Sequence, residues 1–258
     1  MENKIKDWLL KGGFPLEMKF VNSLLKEDFE VAQSVYYQDF ETEKFRETDI
    51  IASKFKRINN TWTHITFVIE CKKSNDKPWI VLKNDKILNH IGEELPVYFT
   101  KNGEYFIKSI NGKEDYKSDL FFKNNRSIGY SIQTAFHKGV DKSYEAVQSV
   151  TKACEYFSQK INERKNTCAF YFPVLLIEGR LFEGKLANDE IEIEEVKNSE
   201  VLITRSFHKY GNSHLMIFES SDLDLVTLKL KKLAEKFFEE YEEILNETIS
   251  PKLEPPFG

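Results

Sequence analysis

The sequence predicts an α/β fold in which a mixed central sheet is flanked by helices, and three observations carry that expectation. Residues 64–73 and 168–177 are rich in β-branched and aromatic side chains, and the second run is almost continuously apolar, as a strand covered on both faces must be. Residues 13–26, 142–161 and 222–245 repeat apolar positions at helical spacing. Strand-like and helical stretches alternate along the chain without a Pro-, Gly- or Ser-rich linker or an internal repeat, so the 258 residues are expected to form a single domain, 1–258.

The elements follow in order. Gly12 and Gly13 break what precedes them and Pro15 suits a first helical turn, which starts a helix at 13–26 with Glu17 near its beginning. Leu16, Phe20, Val21, Leu24 and Leu25 give that helix a face to bury. Phe29–Tyr37 reads as a first strand, Asp39 to Arg46 as a polar turn, Thr48–Phe55 as a second strand and His64–Lys73 as a third. Core segments 13–73 and 142–246 are then separated by a long interruption, 74–141. Strand-like pieces at Trp79–Leu82, Pro96–Phe99 and Glu104–Ile107 make it an ordered insertion, because a structureless loop of that length is unusual in a compact domain. Tyr144, Val147, Val150 and Ala153 or Cys154 define one face of the 142–161 helix. Cys168–Ile177 is a buried strand, and Glu178–Leu186 a turn with a short returning strand. Strands at Val201–Phe207 and Ser213–Glu219 flank a turn at Tyr210, and an amphipathic helix from Asp222 to Leu245 follows.

Composition narrows the function classes. Cysteines 71, 154 and 168 are odd in number and lack zinc-type spacing, which argues against a disulfide framework or structural zinc and for a reducing compartment. No signal-peptide or membrane-length apolar run occurs, so a cytoplasmic protein without membrane contact is expected. Histidines 64, 90, 137, 208 and 214 form no metal-ligand pattern. Nucleophile elbows, Walker loops and dinucleotide fingerprints are all missing from the sequence. The net charge of −5 and pI of 5.7 run against nucleic-acid binding through the whole surface, leaving a local basic face as the alternative.

Glu70 and Lys72 stand two residues apart near the end of the third strand. Alternation puts both on one face and Phe67, Ile69 and Cys71 on the other. The triplet alone says little, since acid-x-lysine also occurs at Glu2, Glu17, Asp115, Glu163, Glu183 and Glu195. Context separates Glu70: an apolar strand leads into it, and a hairpin with the preceding strand would bring Asp49 alongside. Two carboxylates and a lysine are the groups that metal-dependent phosphodiester hydrolysis requires.

Glu17 on a helix, Asp49 in Glu47-Thr-Asp-Ile-Ile-Ala52 and Glu70-Cys71-Lys72, in that order, resemble the PD-(D/E)xK nuclease superfamily. The phrases Gly13-Phe-Pro-Leu-Glu17 and Glu47 to Ala52 are similar to restriction-endonuclease-like proteins of the Holliday-junction-resolvase and restriction types; Thr48 stands where the motif has proline. The resemblance implies a restriction-endonuclease-like αβββαβ core with an insertion after the third strand. It also implies a nuclease acting on nucleic acid, most naturally DNA, in bacterial defence or repair. Mg²⁺ or Mn²⁺ would be held by Asp49, Glu70 and the Cys71 carbonyl, with Glu17 bound directly or through water. Lys72 would orient the attacking water or stabilise transition-state charge. Gln148, with Lys152 one turn later, matches the polar residue that the second core helix of several members brings near the site. A homodimer or partner subunit is implied where both strands of a duplex are cut. Two other readings stay open: a non-catalytic nuclease-fold binding module, and an interaction protein working through its acidic C-terminal helix.

Overall fold

Two apolar strands paired in parallel, β3 (Thr61–Lys83) and β6 (Thr167–Ala187), form the backbone of the sheet, paired from Trp62 opposite Thr167 to Ser74 opposite Gly179 and again from Trp79 opposite Leu181 to Lys83 opposite Lys185. The computed structural model describes residues 1–59, 61–84, 97–110, 128–160, 167–204 and 212–248. β1 (Glu30–Gln38), β2 (Phe45–Ile58) and β3 make an antiparallel meander, β2 pairing with β3 from Ile58 opposite Thr61 to Ile50 opposite Ile69. Parallel strands need a crossover, and α4 (Lys142–Lys160) lies between β3 and β6 in the chain and packs on both. Asp141 starts that helix by accepting the Ser143 amide at 2.9 Å.

The far half of β3 continues past Lys73 and pairs with β5 (Gly129–Thr134). β5 meets β8 (Asn198–Thr204) at Gly129 and Val201, β8 pairs with β9 (Asn212–Glu219), and β9 returns to β6, so the pairing path closes on itself. Gly129 permits this closure, because a Cβ there would collide with Val81 and the Glu200 carbonyl. β4 (Tyr98–Phe99) and β7 (Glu190–Val196) pair with the opposite end and the tip of β6.

Strand alternation gives the sheet two buried faces. Ile65, Phe67, Ile69 and Cys71 of β3 join Phe170, Phe172 and Val174 of β6 under α2 (Phe14–Lys26), α3 (Lys101–Ile110) and α5 (Leu223–Thr248). At the centre of that layer the ring of Phe237 lies 4.9 Å from Phe170 and 5.0 Å from Tyr241. Val68, Trp79 and Val81 point the other way, with Leu175, Ile177 and Leu181, beneath Ala146, Val147, Val150 and Cys154 of α4. The architecture is therefore a mixed sheet between helices. α1 (Glu2–Lys11), at the N-terminal edge, buries no side chain. All three cysteines are free and buried.

Several expectations change. The third strand does not stop at Lys73: Ser74–Lys83 belongs to the same sheet, so the segment read as an insertion begins and ends in sheet strands, β3 and β5. A register shift between Ser74 and Trp79 carries β3 over its charged interruption. Glu104–Ile107 is helical, within α3, where Phe106 and Ile107 are buried and Tyr105 is exposed. The turn read at Glu178 is a kink inside continuous β6, and the returning strand is β7. Gly179 makes the kink with φ +157°, its backbone so close to Ser74 that a Cβ would strike the Ser74 carbonyl. Ile161 and residues 205–211, including His208, lie outside the described residues.

Candidate active site

β2 and β3 part company immediately after the Ile50–Ile69 pair, and the charged residues gather at that fork. Asp49 is the next residue of β2 and Glu70 the next of β3. The Cys71 amide, which a continued ladder would have paired to a β2 carbonyl, donates instead to Asp49 Oδ2 at 2.7 Å. Alternation sends the Cys71 side chain into the core and holds Glu70 and Lys72 on the α4 side, where Lys72 Nζ donates to Glu70 Oε1 at 2.5 Å. Glu70 Oε2 accepts the Ser149 hydroxyl at 3.1 Å. The buried Tyr37 hydroxyl in turn donates to the Ser149 carbonyl at 3.1 Å, fixing α4 against β1.

This arrangement is electrostatically tense. Burial raises Glu70 to about 7, and Asp49's charge adds to the rise; Lys72 and Ser149 pull the other way without cancelling it. Asp49 is also raised, by burial first, although the Cys71 amide and Lys72 oppose the shift. Glu17, on the first turn of α2, is raised by burial and then by the charges of Asp49 and Glu47, so it belongs to the same field. Burial lowers Lys72, but Glu70 and Asp49 more than reverse this and keep it an ammonium.

A second layer of charge stands beside the first. The fully buried Asp39 carboxylate accepts Arg46 Nε at 3.0 Å, Lys152 Nζ at 3.0 Å and the Glu41 amide at 3.0 Å. Burial alone would raise its pKa, yet Lys152, the Glu41 amide and the Thr42 side chain hold it at about 2. Lys152 also reaches Glu41 Oε2 at 2.5 Å. A cleft of about 540 Å³ opens over both layers, lined by Glu41, Arg46, Glu70, Lys72, Tyr144, Glu145, Gln148, Ser149 and Lys152.

Glu17, Asp49, Glu70 and Lys72 are thus brought together. Gln148 lines the cleft, while the bond to Glu70 is made by its neighbour Ser149. Sequence reasoning missed Ser149, Tyr37, Asp39 and Arg46 as parts of the site. Asp39 and Arg46 bracket the segment read as a polar turn, and opposite charges at both ends of a turn were the available signal. Among the described residues, no three His, Cys, Asp or Glu side chains converge as they stand on one metal position. The donor chemistry still suits a hard divalent cation: Asp49 and Glu70 are crowded carboxylates whose ionised forms burial disfavours, and a cation would relieve that. No helix among the described residues is long and apolar enough to cross a membrane. No protein-family model, curated protein or solved structure matches the chain.

Proposed function

We propose that the protein is a metal-dependent nuclease of the PD-(D/E)xK, restriction-endonuclease-like kind, acting on DNA. The observation that carries this reading is the fork itself. Asp49 and Glu70 face each other where β2 and β3 separate, with Lys72 bonded to Glu70 and Glu17 in their field. The connectivity supports it too: a helix, an antiparallel meander, a helix on the opposite face, then a strand parallel to the third.

Under this reading Asp49 and Glu70 would hold Mg²⁺ or Mn²⁺, with Glu17 and the Cys71 carbonyl as further oxygen donors. Bound there, the ion would supply the polarisation of the attacking water and the positive charge that offsets charge developing on the phosphate oxygens. Lys72, held protonated, exchanges its bond with Glu70 for one to the attacking water or a phosphate oxygen. Ser149 fixes Glu70 Oε2, so the carboxylate keeps one orientation while Lys72 moves. The Cys71 amide does the same for Asp49.

Cleavage of supercoiled plasmid, linear duplex, single strand and RNA at low salt tests this, with Mg²⁺, Mn²⁺ or chelator. Wild type should cut DNA only with the cation, and Asp49→Ala or Lys72→Ala should each lose at least about 100-fold. Cutting that persists in both variants, or none by wild type on any substrate, overturns the assignment. The tight Lys72–Glu70 pair favours one other reading, a nuclease-fold module that binds DNA without cutting it. Metal-independent binding with no cleavage would select that one.

A further inference from the structure

The charged layer behind the fork has no part in the chemistry above, and its members differ in how far they are satisfied. Lys152 is held twice, by Asp39 and by Glu41. Arg46 is held once: its Nε meets Asp39 Oδ2 at 3.0 Å, and no hydrogen bond or ion pair among the described residues engages its two Nη groups. Half of the Arg46 side chain is exposed, at 49%, whereas its anchor Asp39 is at 0%. Arg46 lines the same cleft as Glu70 and Lys72. It also sits opposite Tyr37 in the β1–β2 pairing, on a paired strand rather than a loop.

A guanidinium pinned at Nε and open at both Nη presents a preformed pair of N–H donors, the geometry that matches two oxygens of a phosphate. The buried carboxylate behind it removes much of the rotamer freedom that a surface arginine gives up on binding. A nucleic-acid strand lying on the fork must pass other phosphates along the cleft. The remaining cleft cations have carboxylate partners: Glu70 for Lys72, and Asp39 and Glu41 for Lys152.

We propose that Arg46 is a backbone-phosphate subsite of this cleft, gripping through its Nη groups a phosphate of the nucleic-acid strand other than the one attacked, with Asp39 as its positioning residue. This rests on the nuclease reading and deepens it. The contact is blind to base sequence, so Arg46 sets where a strand lies and not which sequence is chosen.

The test is binding of labelled duplex and single-stranded DNA across a salt series in the Asp49→Asn background, which removes a proposed metal ligand. Arg46→Gln should weaken binding about 10-fold and reduce the slope of log affinity against log salt by roughly 0.7 to 0.9, the loss of one phosphate contact. Arg46→Lys should keep the slope, because the charge stays, while losing part of the affinity with the fork. Thermal melting of each variant separates a lost contact from a lost fold, and Lys152 still neutralises Asp39 in both. An unchanged slope in Arg46→Gln overturns the Arg46 assignment and leaves the nuclease reading standing. Failure of the parent to bind any nucleic acid, together with no cleavage by wild type, overturns both.

Discussion

Glu70 is the residue at which the proposed function and stability are in conflict. Its folded pKa of about 7 lies above the ordinary 4.5, so folding takes up a proton between those values. The sign follows from linkage: protonated Glu70 is tolerated at low pH, and its ionisation costs stability as pH rises from about 4.5 through 7. In metal-free protein, the stability of Glu70→Gln relative to wild type should therefore improve across that window by up to about 3 kcal/mol. Denaturant titrations at pH 4.5 and 8 check this, and a constant difference would refute it. Ser149 supplies the complementary case. Its hydroxyl lowers the pKa of Glu70, so in metal-free protein Ser149→Ala should raise that pKa further and move the pH at which Glu70 ionises upward. A titration of Glu70 in metal-free protein that the substitution leaves unshifted would refute this role of Ser149. The legibility of these residues differs for a physical reason. Glu70 and Lys72 could be read because alternation along one strand fixes which side chains share a face. Asp49 followed because a short hairpin has few registers. Ser149 and Arg46 reach the site through contacts between elements far apart in sequence, and no local period encodes those.

At the scale of elements, periodicity was right about type wherever a run was long and clean. α2, α4 and α5 begin and end within a few residues of expectation, and β1, β2, β6 and β9 each contain all or nearly all of the stretch expected to be strand, although β6 runs on past it. Misreadings cluster at interruptions. Ser74-Asn-Asp-Lys-Pro78 looks like a loop, yet β3 passes through it, because β6 supplies a partner on the other side of the bulge. Glu104–Ile107 carries strand-forming aromatics, but burial of Phe106 and Ile107 beside exposed Tyr105 fits a helix. Gly179 is the clearest test of the paired kink. A Cβ there meets the Ser74 carbonyl, and φ of +157° is hostile to any side chain. Gly179→Ala should cost about 2 kcal/mol or more, read from the urea midpoint, while Gly184→Ala in the same strand, whose Cβ would come no nearer than 3.4 Å to Ile80, should cost less.

For the whole molecule, one sheet separates two cores that do different work. The layer under α2, α3 and α5 is built from large rings and carries cohesion. Phe237→Ala there should cost about 3–5 kcal/mol, because the rings of Phe106, Phe170 and Tyr241 around it leave a cavity that cannot collapse. Calorimetry should show it as a lowered melting temperature without a new transition. The opposite layer, under α4, is shared with the charged cleft, so its helix both covers the sheet and carries Ser149, Gln148 and Lys152 to the cleft. The overall charge of −5 is compatible with a polyanion only if local cations dominate the cleft, which is the condition that the assay with and without divalent ion examines.

The parallel pairing of β3 with β6 also sets an order of events during synthesis. Trp62 finds its partner Thr167 about a hundred residues later, so a nascent chain completes the meander long before the strand that must lie beside it exists. At ordinary translation speeds the interval is roughly 5 to 20 s. Throughout it, Phe67, Ile69 and Cys71 have at most α2 and the insertion segment for cover, and one edge of β3 lacks its permanent neighbour. A ribosome stalled before β6 should therefore hold a protease-sensitive, chaperone-bound chain, and release past Ala187 should lock the fork in a late, cooperative step. Contacts this distant also make refolding from denaturant slow for a chain of this size.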